Sequence, residues 1–154
     1  MGKLYVVRHA DAGHRAHGST NDEARELNAK GWRQAEGLRA AFADKGITRL
    51  VSSPFVRCMQ SLEPLGKELG LPVEADERLA EGAGAAGALS VAAEVHKTNA
   101  ILCSHGDVIP DLLEHVVAKG AKLKDELRWQ KGSTWVLTWD GDQLVRGRYL
   151  PPRS

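Results

Sequence analysis

Cysteine is scarce in this chain of 154 residues. The two present, Cys58 and Cys103, are too few for a disulfide framework or a zinc site of paired cysteines, and Cys103 reads as a reduced core thiol. Long apolar runs are also missing, so no transmembrane run, signal region or transit peptide is expected and the default location is cytoplasmic. Net charge is only +1 with the histidines neutral. A balance so close to zero argues against a nucleic acid polymer and against a polybasic membrane patch. No His-Glu-x-x-His stretch or aspartate cluster occurs, so neither metal nor cofactor is expected. No repeat, low-complexity tract or linker divides the chain. Its 42% hydrophobic and 27% charged residues fit one globular domain over residues 1–150, with a free tail at 151–154.

What is present is a set of short, branched apolar runs, each closed by turn chemistry. Leu4-Tyr5-Val6-Val7 runs into Arg8-His9, residues 48–52 run into Ser53-Pro54, and residues 99–104 run into His105-Gly106. These read as buried strands of a parallel sheet, with a shorter strand at 71–75. Between them the spacing predicts helices. One starts at an Asn28 cap and runs to about residue 45, with Trp32, Ala35, Leu38 and Phe42 on its apolar face. A second starts with Ser53 as N-cap and Pro54 in the first turn, ends at Gly70, and should kink or break near Pro64. A third covers 89–96. A fourth covers 107–119, with Ile109, Leu112, Leu113, Val116 and Val117 inward. The end reads as a hairpin, 134–139 and 143–149 joined by Asp140-Gly141-Asp142. Trp135 and Trp139 lie on its first strand and are expected in the core, as is Trp129 just before it. Strands and helices alternate and then close with a hairpin. The order predicts an α/β fold: a mostly parallel central sheet, helices on both faces and an antiparallel C-terminal hairpin.

In open parallel sheets ligands bind beyond the carboxyl ends of the strands. Arg8, His9, Arg57 and His105 should therefore meet in one crevice. A neutral imidazole is a competent nucleophile toward phosphorus, and its ordinary pKa leaves much of it neutral near pH 7. His9 is the expected nucleophile. Arg8 and Arg57 offer planar, permanently charged forks for phosphate oxygens. Arg57 sits one turn into a helix that follows a strand end, where anions gather. His105 can donate to a phosphoryl oxygen and stabilise charge in the transition state. A leaving oxygen needs a proton, and Glu81, in a small-residue loop over 76–87, is the favoured donor, with Asp11 and Asp107 as rivals. His14, Arg15 and His17, in the polar stretch 10–26, could touch substrate or simply face solvent.

These residues resemble the histidine phosphatase superfamily, the phosphoglycerate mutase-like branch 1. Arg8-His9-Ala10 is similar to its Arg-His-Gly motif, with Ala10 in place of the usual glycine. Residues 52–57, ending in Arg57, resemble its second-strand motif, and Cys103-Ser104-His105-Gly106 its second histidine motif. Gly31, Gln34 and Ala35 resemble the helix after the first loop. The resemblance implies a phosphoglycerate mutase-like fold and a metal-independent phosphatase acting through phosphorylated His9. Short length and Arg8-His9-Ala10-Asp11-Ala12 look most like the small SixA-type phosphohistidine phosphatases. Residues 104–110 and 131–135 look similar to the phosphatase domain appended to actinobacterial Nudix hydrolases. Mutases of the family are longer and usually place an asparagine where Arg15 stands here. The implied partners are a small phosphorylated metabolite or a phosphohistidine protein, with a Nudix hydrolase as a further partner. The alternative is a non-catalytic phosphate-binding or accessory module for such a hydrolase.

Overall fold

A computed structural model describes residues 2–14 and 21–153. Among these residues the strands are β1 (Lys3–Arg8), β2 (Arg49–Ser52), β3 (Val73–Ala75), β4 (Ala100–Ser104), β5 (Lys122–Leu123), β6 (Thr134–Asp140) and β7 (Gln143–Leu150). The helices are α1 (Ala29–Phe42), α2 (Val56–Leu69), α3 (Gly84–Val95) and α4 (Val108–Ala118), with single 3-10 turns at Asp22–Ala24 and Glu77–Leu79. The strands form one sheet in the order β3-β2-β4-β1-β6-β7-β5. β3, β2, β4 and β1 run parallel, β6 is antiparallel to both β1 and β7, and β5 pairs parallel with β7. The expected mixed sheet is therefore observed.

Alternation along the strands sorts the core into two layers. Leu4, Val6 and Leu102 face α3 and α4, where Val91, Val95, Ile109, Leu112 and Leu113 meet them. Tyr5, Val7, Ile101 and Cys103 face α1 and α2, against Leu38, Phe42, Leu62 and Leu65. Helices on opposite faces explain why β1 and β4 read as unbroken apolar runs: both sides are covered. Each leucine or isoleucine wholly removed from water there contributes about 1.5–3 kcal/mol relative to exposure. Trp135 and Trp139 are buried in the first layer, and Trp129 packs at its edge, partly buried. No helix among the described residues is long and apolar enough to cross a membrane.

Several local expectations are corrected. α2 begins at Val56 with Phe55 at the cap position, and the Ser53 hydroxyl accepts the Phe55 N–H while lying against His105. Pro64 does not break α2, which runs on to Leu69 and ends at Gly70 with φ 67°. Leu62 and Leu65, both buried, flank the proline and hold the helix to the sheet despite the hydrogen bond that proline lacks. α3 starts at Gly84, not 89: its first turns are Gly and Ala, which carry no amphipathic signal. Val117 is 45% exposed, one residue round from the buried face of α4. β3 starts at Val73, and β5 was not expected. Arg153 lies against Gly37 of α1, where an added Cβ would come within 2.7 Å of the Arg153 Cβ.

Candidate active site

β2, β4 and β1 are neighbours, and their carboxyl ends stand side by side. Arg8 is in register with Ser104, and Ser52 with Cys103. The residues just beyond, Ser53, His105 and His9, are therefore delivered to one sheet edge. The His9 and His105 rings lie with centroids 5.5 Å apart. The sequence-predicted meeting of the two histidines is what the structure shows.

His9 is 4% exposed, and its Nδ1 lies 2.8 Å from the Ala10 carbonyl. A carbonyl only accepts, so Nδ1 carries the hydrogen and Nε2 keeps its lone pair. Burial pushes the His9 pKa down to about 3, with further depression from Arg57, His105 and Arg8 partly opposed by the Ala10 bond. The ring is thus neutral near pH 7. The loop behind it is tied down at several points. The Ala10 N–H donates to Ser61 Oγ at 2.8 Å, and that hydroxyl donates to the Arg57 carbonyl at 2.6 Å. The Asp11 N–H donates to the buried Gln34 Oε1 at 2.9 Å. Ala10 is fully buried beside Ala12, Leu27 and Ala35, so the methyl at this position is packed core.

His105 is 1% exposed. Its Nε2 is 2.8 Å from Ser53 Oγ, and Cys58 Sγ stands behind at 3.6 Å. Phe55 packs edge-on, centroid to centroid 4.7 Å. Its Nδ1 is buried without a hydrogen-bond partner. Two more donors share that condition, Arg8 Nε and Arg57 Nε. Buried unpaired donors are costly, about 1–3 kcal/mol each, and more when charged. Three of them on residues flanking the nucleophile mark a place for an anion.

Arg8 donates from Nη1 to the Trp129 carbonyl at 2.9 Å. Gly106 makes room for it: a Cβ there would lie 2.8 Å from the guanidinium carbon. Burial lowers the Arg8 pKa and the nearby Arg57 charge adds to this. Arg57 is 1% exposed and reaches back to the loop before α1. Its Nη1 donates to the Asp22 carbonyl at 2.9 Å, and Nη2 to Asp22 Oδ2 at 3.1 Å and to Glu81 Oε1 at 3.4 Å. Glu81 is therefore at the site, as expected from its loop.

The rival acids are differently employed. Asp11 Oδ1 accepts the Gly13 N–H at 2.9 Å and Asn28 Nδ2 at 2.8 Å, and the first of these leads in lowering its pKa. Asp107 Oδ2 accepts the Gly82 N–H at 2.8 Å, fixing the backbone just beyond Glu81. His14 is exposed; Arg15 and His17 lie outside the described residues. Sequence reasoning missed Asp22, Ser53 and Phe55. Ser53 carries a signal, a hydroxyl at a strand end, but that signal equally fits a helix cap. Among the described residues no group of three His, Cys, Asp or Glu side chains could hold a metal ion.

The model of the histidine phosphatase superfamily (branch 1) matches residues 4–86, a span that holds Arg8, His9, Arg57 and Glu81. The 8-oxo-(d)GTP phosphatase of Mycolicibacterium smegmatis is 37% identical over 155 residues, covering 97% of this chain and 48% of that protein. The chain thus spans about half the length of this curated relative. The protein histidine phosphatase SixA, solved with tungstate, superposes at TM-score 0.75 with 20% identity, covering 99% of this chain and 96% of its own. A SixA structure from Agrobacterium tumefaciens gives TM-score 0.75 at 23% identity, with 97% of each chain covered. These structures establish the phosphoglycerate mutase-like fold.

Proposed function

The chain belongs to branch 1 of the histidine phosphatase superfamily, and from that premise we propose that it is a phosphatase that works through a phosphorylated His9, without metal or cofactor. The observation that carries this reading is the His9 Nδ1 bond to the Ala10 carbonyl, 2.8 Å long. It leaves Nε2 as a lone pair beside three unpartnered donors on Arg8, Arg57 and His105.

In the first step His9 Nε2 attacks phosphorus and the bond to the leaving group breaks. Arg8, Arg57 and His105 bind the phosphoryl oxygens and stabilise the charge that spreads over them. Glu81 gives its proton to the leaving oxygen. In the second step Glu81 takes a proton from water, the water oxygen bonds to phosphorus, and the P–N bond breaks to free His9.

The substrate class we assign is a small phosphorylated metabolite or a phosphohistidine protein. The 37% identical relative acts on an oxidised guanine nucleotide, which supports the metabolite arm. Steady hydrolysis of an aryl phosphate by pure protein in excess chelator, lost in His9→Ala, is the expected result. Activity that dies with chelator would overturn the reading.

A second reading is favoured by the half-length match to that relative. On that reading this domain is a non-catalytic phosphate-binding or accessory module for a Nudix-type hydrolase. It predicts phosphate binding without aryl phosphate turnover, so the same assay separates the two.

A further inference from the structure

The overall charge of +1 conceals an uneven surface. Lys3 of β1, Lys122 of β5, Arg146 and Arg148 of β7, and Lys124 just past β5 line one recess of about 320 Å³. The sheet register puts them there. Lys3 pairs with Thr138, Thr138 with Arg146, and Arg146 with Lys122, one row across four strands. One step along, Tyr5 pairs with Val136 and Val136 with Arg148. Side chains two residues apart share a face, so both rows point to the same side. That side carries α1 and α2 over β1, β4 and β2, and α1 also reaches Thr134 of β6 and Leu150 of β7, while no helix residue lines the recess itself.

Val136 and Thr138 on the floor are 3% and 5% exposed. The long cationic stems lie over them and their charged heads gather at the rim. Lys3 Nζ donates to Thr138 Oγ1 at 3.0 Å, which fixes one head at the edge of the recess. No carboxylate lines the recess, and none of the five cations has an ion-pair partner among the described residues. Elsewhere the chain places carboxylates against exposed arginines, as at Arg39, Arg49 and Arg78. Like charges directly opposed on adjacent strands, as Lys122 and Arg146 are, destabilise a sheet unless something neutralises them.

We propose that this recess is a second anion site, and that it takes a small molecule carrying a linear di- or triphosphate. Five cations around one recess match several negative charges held close together. The recess volume suits a small ligand. The near-zero net charge gives little long-range attraction for a polymeric anion. The site is separate from the His9 pocket: Lys3 starts the strand that Arg8 ends, about 16 Å away at roughly 3.3 Å per residue.

The test uses inorganic tripolyphosphate and the full chain carrying His9→Ala, which prevents turnover. Calorimetric titration at low and at physiological salt is run on this protein and on two further variants in the same background. One adds Arg57→Ala to disable the catalytic pocket, and the other adds Lys122→Glu with Arg146→Glu. A saturable site is expected that weakens with salt and persists with Arg57→Ala. The charge reversals should cost it at least about tenfold in affinity. Amide shifts at Lys122, Lys124, Arg146 and Arg148 should report the same binding. In the His9-containing chain the double reversal should leave aryl phosphate turnover unchanged, which also shows that it folds. Should that pair fail to fold, Lys124→Gln with Arg148→Gln supplies the same comparison. Absence of saturable binding, loss with Arg57→Ala alone, or tighter binding of a short oligonucleotide or an acidic peptide would each overturn the proposal.

Discussion

Ser53 Oγ lies 2.8 Å from His105 Nε2, and the same oxygen accepts the Phe55 N–H at 3.2 Å. We assign the hydroxyl as the donor to the imidazole, its oxygen accepting the Phe55 N–H. Nε2 is then the acceptor, and the hydrogen of His105 resides on Nδ1, the buried nitrogen without a partner. Ser53 thereby sets which nitrogen of His105 can donate to a phosphoryl oxygen. In Ser53→Ala the nitrogen-15 spectrum should show His105 losing its Nδ1–H form, with kcat lower and the fold retained. Ser53→Thr keeps the hydroxyl and should restore both. A His105 that is Nε2-protonated in the unaltered protein would contradict this assignment.

The depressed pKa of His9, about 3, has two consequences. For activity, protonation removes the nucleophile, so the acid limb of kcat/KM assigned to His9 should fall far below the ordinary histidine range. For stability, both folded and unfolded chains hold His9 neutral above about pH 6.5, and there its contribution is complete. As the pH falls below that value the unfolded chain takes up the proton and the folded one does not. Stability is therefore lost between about 6.5 and about 3, by up to about 1.4 kcal/mol per pH unit from this group. Denaturant midpoints for wild type and His9→Gln, compared from pH 7 to pH 5, should diverge with wild type falling more steeply. Parallel curves would show that burial does not hold His9 neutral.

Arg57→Ala removes a guanidinium that is 1% exposed and that ties Asp22 to Glu81. Transition-state stabilisation should fall by about 2–4 kcal/mol, read from kcat/KM. KM alone rising, with kcat intact, would mean that Arg57 binds the ground state as firmly as the transition state.

Glu81→Gln should slow alkyl phosphates most and aryl phosphates with acidic phenols least, since good leaving groups need little proton assistance. The measurement is kcat/KM across leaving groups of graded pKa. An equal slowdown across the series would make Glu81 a residue that only orients Arg57, 3.4 Å away.

The histidines were legible in the sequence because each closes an apolar run, and adjacent parallel strands must deliver such residues to the same edge. Arg57 was legible from its place one turn into the next helix. Asp22 was not. It reaches Arg57 across 35 positions of sequence from a polar loop, and nothing in its neighbours distinguishes it from a solvated carboxylate. Ser53 was visible but ambiguous, since a serine at a strand end serves equally as a helix cap or as a partner for a neighbouring strand's side chain. β3 and β5, of three and two residues, are too short to show alternation. The basic recess is not legible in the sequence for a different reason. Its five cations come from three separate stretches of sequence, and only the register of β1, β6, β7 and β5 assembles them.

The central claim is a covalent phosphoryl group on His9 Nε2. The direct measurement is rapid quenching of the enzyme with a labelled aryl phosphate at alkaline pH, followed by peptide mapping by mass spectrometry. A phosphoryl group on the peptide containing His9, stable in base, labile in acid and formed at the rate of leaving-group release, is the predicted result. Label that is absent during steady turnover, or that survives His9→Ala on another residue, would contradict the account.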